Sequence, residues 1–341
     1  MRAEILFNKA ERLRAGASYR KALLLYKKAL RYYKKEKDTA GLLETLLASG
    51  DTLRMLGEFR KAIRHYSEAL NIARKTGDKT SYADSLMGIG LSLRALGHWK
   101  DGIGYFKKAR LLYRSLKDRR GIAFSLYAEG VALRIKGDLQ NAIKTLKKAL
   151  QEFRADREAT GYCLNSLGGT SRVAGLYRES LSYYKRANRL FNKIEDRFGI
   201  AYSHCGIGNA FRMLGKPEEA ISHFKKALSL YRKMGDRVSS AYTLWSLGMT
   251  YLSLNKKARA ESFFKKAISF FKKTEDRRGL VYGLLGLSQI DILKGKECRS
   301  LKRLLEAMAI IRELNLKLEK RYIIKIIEGL LNQPYEIINI P

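Results

Sequence analysis

The chain has 341 residues, 46% apolar and 30% charged, and its 68 Lys+Arg against 33 Asp+Glu leave a net charge of +35 and a pI near 10.1. That apolar content excludes a disordered chain, no apolar run nears the roughly 18 residues of a membrane span, and nothing in the first ten residues reads as an export signal. Three cysteines (Cys163, Cys205, Cys298) are too few for a disulfide framework, so a reducing, cytoplasmic setting is expected.

With prolines only at 217, 334 and 341, nothing prevents the chain from being helical almost throughout. A first, irregular repeat shows Gly16, Ala22, Tyr26 and Ala29. From there a register of about 40 residues takes over: Gly57, Gly97, Gly137, Gly175, Gly215, Asn255 and Gly295, at steps of 40, 40, 38, 40, 40 and 40. Each supplies the left-handed residue that ends a helix. Seven residues earlier stand Gly50, Gly90, Gly130, Gly168, Gly208, Gly248 and Ser288. Glycine costs about 1 kcal/mol inside a helix, so this column predicts close backbone approach by a neighbouring helix.

The second helix of each repeat carries small residues at Ala62, Gly102, Ala142, Ser180, Ala220, Ala260 and Ser300, and again at Ala69, Ala109, Ala149, Ala187, Ala227, Ala267 and Ala307. Between them lie Tyr66, Phe106, Leu146, Tyr184, Phe224, Phe264 and Leu304. Asp38, Asp78, Asp118, Asp156, Asp196, Asp236 and Asp276 then predict N-caps for the next repeat. The single step of 38 removes two residues between Ala149 and Asp156, which shortens the second helix or the loop of the fourth repeat. After the eighth repeat, Leu316, Leu318, Tyr322, Ile323, Ile326, Ile327, Leu330 and Leu331 recur at helical spacing. They predict a helix over 316–333 that covers the open end of a solenoid, followed by a tail at 334–341. A dimer interface is the other use for that apolar stripe.

Helix, glycine turn, helix and capped turn, with small and aromatic residues at these offsets, resemble the tetratricopeptide repeat (TPR). The resemblance covers roughly residues 3–313. The 40-residue unit, without the usual proline, is similar to the long repeats of LGN/Pins and kinesin-light-chain scaffolds, and Glu195–Tyr202 followed by Gly206–Ala210 carries the LGN-type likeness. It implies an all-α, right-handed superhelical solenoid of about eight hairpins over residues 1–315, with first helices on the concave wall. It further implies a scaffold or adaptor that binds other proteins.

On that geometry the first helices present one arginine column, Arg54, Arg94, Arg134, Arg172 and Arg212, each three residues before the turn glycine. Packed helices lie about 8–10 Å apart and an extended chain advances about 3.3–3.6 Å per residue, so the column would meet every third residue of an extended, acidic peptide. Arginine's fork suits carboxylates and carbonyls, although an arginine in the last turn also simply serves the helix dipole. The column ends with Leu252 and Ile292. Tyr127, Asn165, Cys205 and Trp245 lie nearby on the same helices, as do Asp51, Asn209, Met249 and Gln289. Asn165 and Asn209 suit a peptide backbone through their paired amide groups, while Trp245 and Tyr127 read as apolar anchors or as packing.

The second helices repeat basic pairs: Lys107-Lys108, Lys147-Lys148, Lys185-Arg186, Lys225-Lys226 and Lys265-Lys266. They predict a basic outer stripe, either a solvated face or a nucleic-acid (RNA or DNA) site. Four scattered histidines and the lack of phosphate-loop, nucleophile-elbow or zinc spacing predict no enzyme, no cofactor and no metal. The expected partner is another protein, with nucleic acid the alternative, and neither a membrane span nor a small-molecule substrate is called for.

Overall fold

The structure, a computed structural model, describes residues 2–16, 18–331 and 335–341. Every regular element among them is a helix: α1 (Arg2–Ala15), α2 (Tyr19–Glu36), α3 (Thr39–Met55), α4 (Phe59–Thr76), α5 (Lys79–Ala95), α6 (Trp99–Ser115), α7 (Arg119–Lys136), α8 (Leu139–Glu152) and α9 (Arg157–Val173). There follow α10 (Tyr177–Lys193), α11 (Arg197–Met213), α12 (Pro217–Lys233), α13 (Arg237–Ser253), α14 (Lys257–Lys273), α15 (Arg277–Ile292), α16 (Glu297–Glu313) and α17 (Lys317–Leu331). They pack as consecutive hairpins that gather into two compact bodies. The first is Met1–Lys136 with Lys144–Phe153, and the second is Gly137–Ile143 with Arg154–Pro341. Within each body successive odd-numbered helices touch one another while successive even-numbered ones do not, so the odd helices form the inner side. The step of 38 is taken up in α8, which has 14 residues where the other second helices have 17 or 18.

Local chemistry sets the hairpin boundaries. Each of the seven aspartates accepts a hydrogen bond from the backbone N–H three residues on, at 2.7–3.0 Å. The turn glycines have φ between 68° and 89°, and Asn255 holds the same conformation at 57°. One more left-handed position precedes the capping aspartates. Glycine fills it at Gly77 and Gly235, but Lys37, Lys117, Glu195 and Glu275 adopt it at φ 53–58° despite their side chains.

The mid-helix glycines answer to a different neighbour from the one their spacing predicts. A Cβ on Gly50 would lie 2.7 Å from the Tyr66 ring, on Gly168 2.9 Å from Tyr184, and on Gly248 2.6 Å from Phe264. The close approach is by the aromatic of the same hairpin, not by another backbone. Each of these rings also meets a second glycine, on the first helix of the next hairpin: Gly88 for Tyr66, Gly206 for Tyr184 and Gly286 for Phe264. The ring is thus seated between two glycines and is fully buried in the case of Phe264, a burial that contributes about 2–3 kcal/mol. Backbone comes as near at Gly102, which meets the carbonyl of Gly90 at 2.9 Å, and at Gly208, which meets that of Ala220 at 3.1 Å beside the Phe224 ring.

The helix expected over 316–333 is α17, with residues 332 and 333, and Pro334 of the tail, outside the described residues. Its apolar residues divide: Tyr322, Ile323 and Ile326 are buried in the core that α13–α16 build, whereas Ile327 and Leu331 are exposed. Glu319, also buried, accepts from Arg278 Nε at 2.7 Å and from the Tyr282 hydroxyl at 2.9 Å, both on α15.

Candidate functional site

In the first body, Arg54, Arg94 and Arg134 close the inner helices α3, α5 and α7. Arg54 reaches Asp51 at 3.5 Å, and Asp51 in turn accepts from the Tyr66 hydroxyl at 2.7 Å. Arg94 donates to the Ala128 carbonyl at 3.4 Å. Burial, reinforced by the Arg134 and Arg54 guanidiniums, pushes Arg94 down to about 10, with Tyr127 opposing. Arg94 thus lies between two like charges, and of the three only Arg54 has a carboxylate partner among the described residues. Tyr127 stacks on Phe124, with ring centroids 6.3 Å apart.

In the second body, Arg172 on α9 and Arg212 on α11 are adjacent. Arg172 is desolvated, but the Tyr184 hydroxyl and Tyr322 of α17 hold its proton more tightly than usual. Arg212 is buried, and burial together with Arg172 pushes it down to about 9. Its partners are neutral: Asn209 Oδ1 at 3.3 Å, the Ile340 carbonyl at 2.8 Å and Asn339 Oδ1, with the Trp245 ring 5.9 Å from its guanidinium carbon. Trp245 is itself fixed by donating Nε1–H to the Tyr282 carbonyl at 2.9 Å. Asn209 also donates to the Cys205 carbonyl at 3.2 Å. Asn165 is 1% exposed, and neither atom of its amide group meets a protein partner. Leaving such groups unpaired costs about 1–3 kcal/mol.

On the second helices, Lys107, Lys108, Lys147, Lys148, Lys185, Arg186, Lys225, Lys226, Lys265 and Lys266 are all exposed. Their heads hold local partners in several cases: Lys108 lies over Tyr105, Lys185 over Phe211, Arg186 over Tyr183 and Lys266 over Phe263, while Lys265 pairs with Glu261 at 2.7 Å.

Models of the tetratricopeptide repeat match residues 81–155, 157–233 and 241–274, together more than half of the chain. The chain belongs to the tetratricopeptide repeat family. No curated protein sequence matches it. Among solved TPR-like structures, a Rap protein complexed with competence and sporulation factor is 16% identical, covering 96% of this chain and 98% of its own at a TM-score of 0.64. The Rap conjugation gene regulator of plasmid pLS20, in complex with the Phr* peptide, is 18% identical over 88% and 79% at 0.67. The apo quorum sensor NprR from B. thuringiensis is 16% identical over 96% and 98% at 0.57. At these identities the likeness is one of fold.

This TPR chain thus brings Arg172, Arg212, Asn209 and Trp245 together in one body and aligns Arg54, Arg94, Arg134 and Tyr127 in the other. Gln289, already in the column of Asn209, holds a contributor that escapes a reading by columns. Gln289, fully buried on α15, accepts from the Ile338 amide at 2.7 Å and from the Tyr335 hydroxyl at 3.2 Å. The segment 335–341 itself lies on the inner side of the second body, where Ile340 is fully buried. The pattern Tyr-x-Ile-Ile-Asn-Ile was present in the sequence, but no repeat column marks it. His204, which stands where other repeats have leucine, is only half-buried, with Nδ1 3.0 Å from His223 Nδ1.

Proposed function

We propose that this TPR chain is a non-catalytic scaffold that holds an extended, acidic segment of another protein against the arginines of its inner helices, with residues 1–315 as the repeats, α17 as their cap and the cytoplasm as its setting. One observation carries the reading. Arg94, Arg134, Arg172 and Arg212 sit on inner helices without a carboxylate partner among the described residues, whereas Arg110, Arg278 and Arg303 each have one. A desolvated guanidinium held beside others of its kind is relieved by an incoming carboxylate, which takes the charge-assisted bonds that neutral oxygens fill only weakly. The unpaired amide of Asn165 supports the same reading, since it matches a peptide backbone in donor and acceptor. That Rap structures are solved with Phr* peptide and with competence and sporulation factor agrees with it.

The test is fluorescence anisotropy with a capped nonapeptide carrying aspartate at every third position. Substituting Arg94→Ala and Arg134→Ala together is expected to weaken capture at least tenfold, because each charged hydrogen bond is worth about 1.5–3 kcal/mol. Unchanged capture overturns the reading. The exposed basic pairs of the second helices favour the nucleic-acid alternative. Binding to random single-stranded RNA that falls steeply with salt, and that Lys225→Glu with Lys226→Glu abolishes, would establish it in place of the peptide.

A further inference from the structure

The inner side of the second body is not bare. We propose that Tyr335–Pro341 is a built-in occupant of a peptide site there, and that the partner for this site is an extended segment of the same form with a carboxylate where Asn339 sits. The proposal rests on the peptide-scaffold reading above and goes on to name the position, the competitor and the chemistry.

The contacts are those of a bound peptide. Main chain is gripped twice: the Ile338 N–H by Gln289 Oε1 at 2.7 Å, and the Ile340 carbonyl by Arg212 Nη2 at 2.8 Å. Side chains divide between core and solvent. Ile340 is fully buried, Tyr335, Ile337 and Ile338 pack on the core, and Glu336 and Asn339 are exposed. These grips come from residues far away in sequence, on α11 and α15, so the segment is docked and does not merely continue α17. The fit is incomplete in one respect. Arg212 is a buried cation, yet the segment offers it only an amide oxygen and a carbonyl. Gln289 likewise keeps Nε2 without a partner. An occupant that meets the cation only with neutral oxygens is displaceable by one that brings a carboxylate there, because the charged bond is about twice as strong.

The experiment uses the full chain and two capped, fluorophore-labelled heptapeptides, Tyr-Glu-Ile-Ile-Asn-Ile-Pro and its counterpart with aspartate in the fifth position. Ile340→Lys adds a further cation to the Arg172–Arg212 pair and expels the segment, and Ile338→Pro removes the amide that Gln289 holds. Neither alters the inner helices. The unsubstituted chain is expected to protect the Ile338 amide from hydrogen exchange and to capture both peptides weakly. Ile340→Lys is expected to lose that protection and bind both at least tenfold tighter, with the aspartate peptide favoured about fivefold. Arg212→Ala in the same background should erase the preference. An Ile338 amide that exchanges as in a free peptide, or equal capture by the unsubstituted and both substituted chains, overturns the proposal. Failure of the scaffold reading looks different: capture of the acidic nonapeptide stays indifferent to Arg94 and Arg134 while Ile338 remains protected.

Discussion

Replacing Gly248 with alanine tests the account of the ring seats most directly. The new methyl carbon would lie 2.6 Å from Phe264 Cε1 and 2.7 Å from Cδ1, where ordinary contact begins at about 3.5 Å, so the ring must retreat by nearly 1 Å. It has nowhere to go: on its far side a Cβ at Gly286 would already be 2.7 Å from the same ring. Overpacking of this kind costs about 1–3 kcal/mol, against a gain of about 1 kcal/mol in helix propensity, for a net loss of up to about 2 kcal/mol. Gly104, inside α6 with nothing within 4 Å of its would-be Cβ, is the matched control and should gain about 1 kcal/mol from the same change. Urea unfolding followed by far-UV circular dichroism measures both. Phe264→Leu should rescue Gly248→Ala, as the eighth hairpin already pairs Ser288 with Leu304 at the equivalent places. A midpoint for Gly248→Ala that rises alongside that of Gly104→Ala would refute the reasoning.

Two further outcomes follow from conformation and charge. Glu195 holds φ 55°, a conformation that costs a residue with a side chain about 1–2 kcal/mol, so Glu195→Gly should raise stability by about 0.5–1 kcal/mol once glycine's greater unfolded entropy is set against it; a lower urea midpoint counts against this. His204 is pushed down to about 4, first by burial and then by His223 and Lys226, and His223 is lowered by burial, Lys226 and Lys185. The folded state therefore prefers neutral imidazoles, and the stability they contribute is full above pH 6.5 and is lost as pH falls towards about 4. After screening by solvent the loss at His204 is about 1 kcal/mol, and His204→Leu should flatten that part of the pH profile measured by thermal unfolding.

Most of the fold was legible because it is local and repeated. The caps from Asp38 to Asp276 and the turns at Gly57 to Gly295 depend on residues within four positions of each other, and their columns announce them. The reason for the mid-helix glycines was harder to see. A cost in helix propensity says that something comes close, but only the structure says that it is a ring, and the companion column at Gly88, Gly206 and Gly286 is diluted by Ala128, Ser166 and Ser246. The left-handed Lys37, Lys117, Glu195 and Glu275 carry no signal in their identity, because their neighbours force the conformation. At the inner face, the arginine column could be read from its spacing, whereas the occupant that Arg212 and Gln289 hold comes from more than a hundred and about fifty residues away respectively. No periodicity reports a contact made once.

The seating of Tyr66 between Gly50 of α3 and Gly88 of α5 bears on how the chain is to be dissected. The sequence repeats as hairpins, but the packing repeats as triplets of helices that overlap by one. A fragment ending after α4 contains two whole hairpins yet leaves one face of the Tyr66 ring in water. A fragment ending after α5 breaks a hairpin and closes that seat. Autonomous pieces of this protein should therefore contain an odd number of helices.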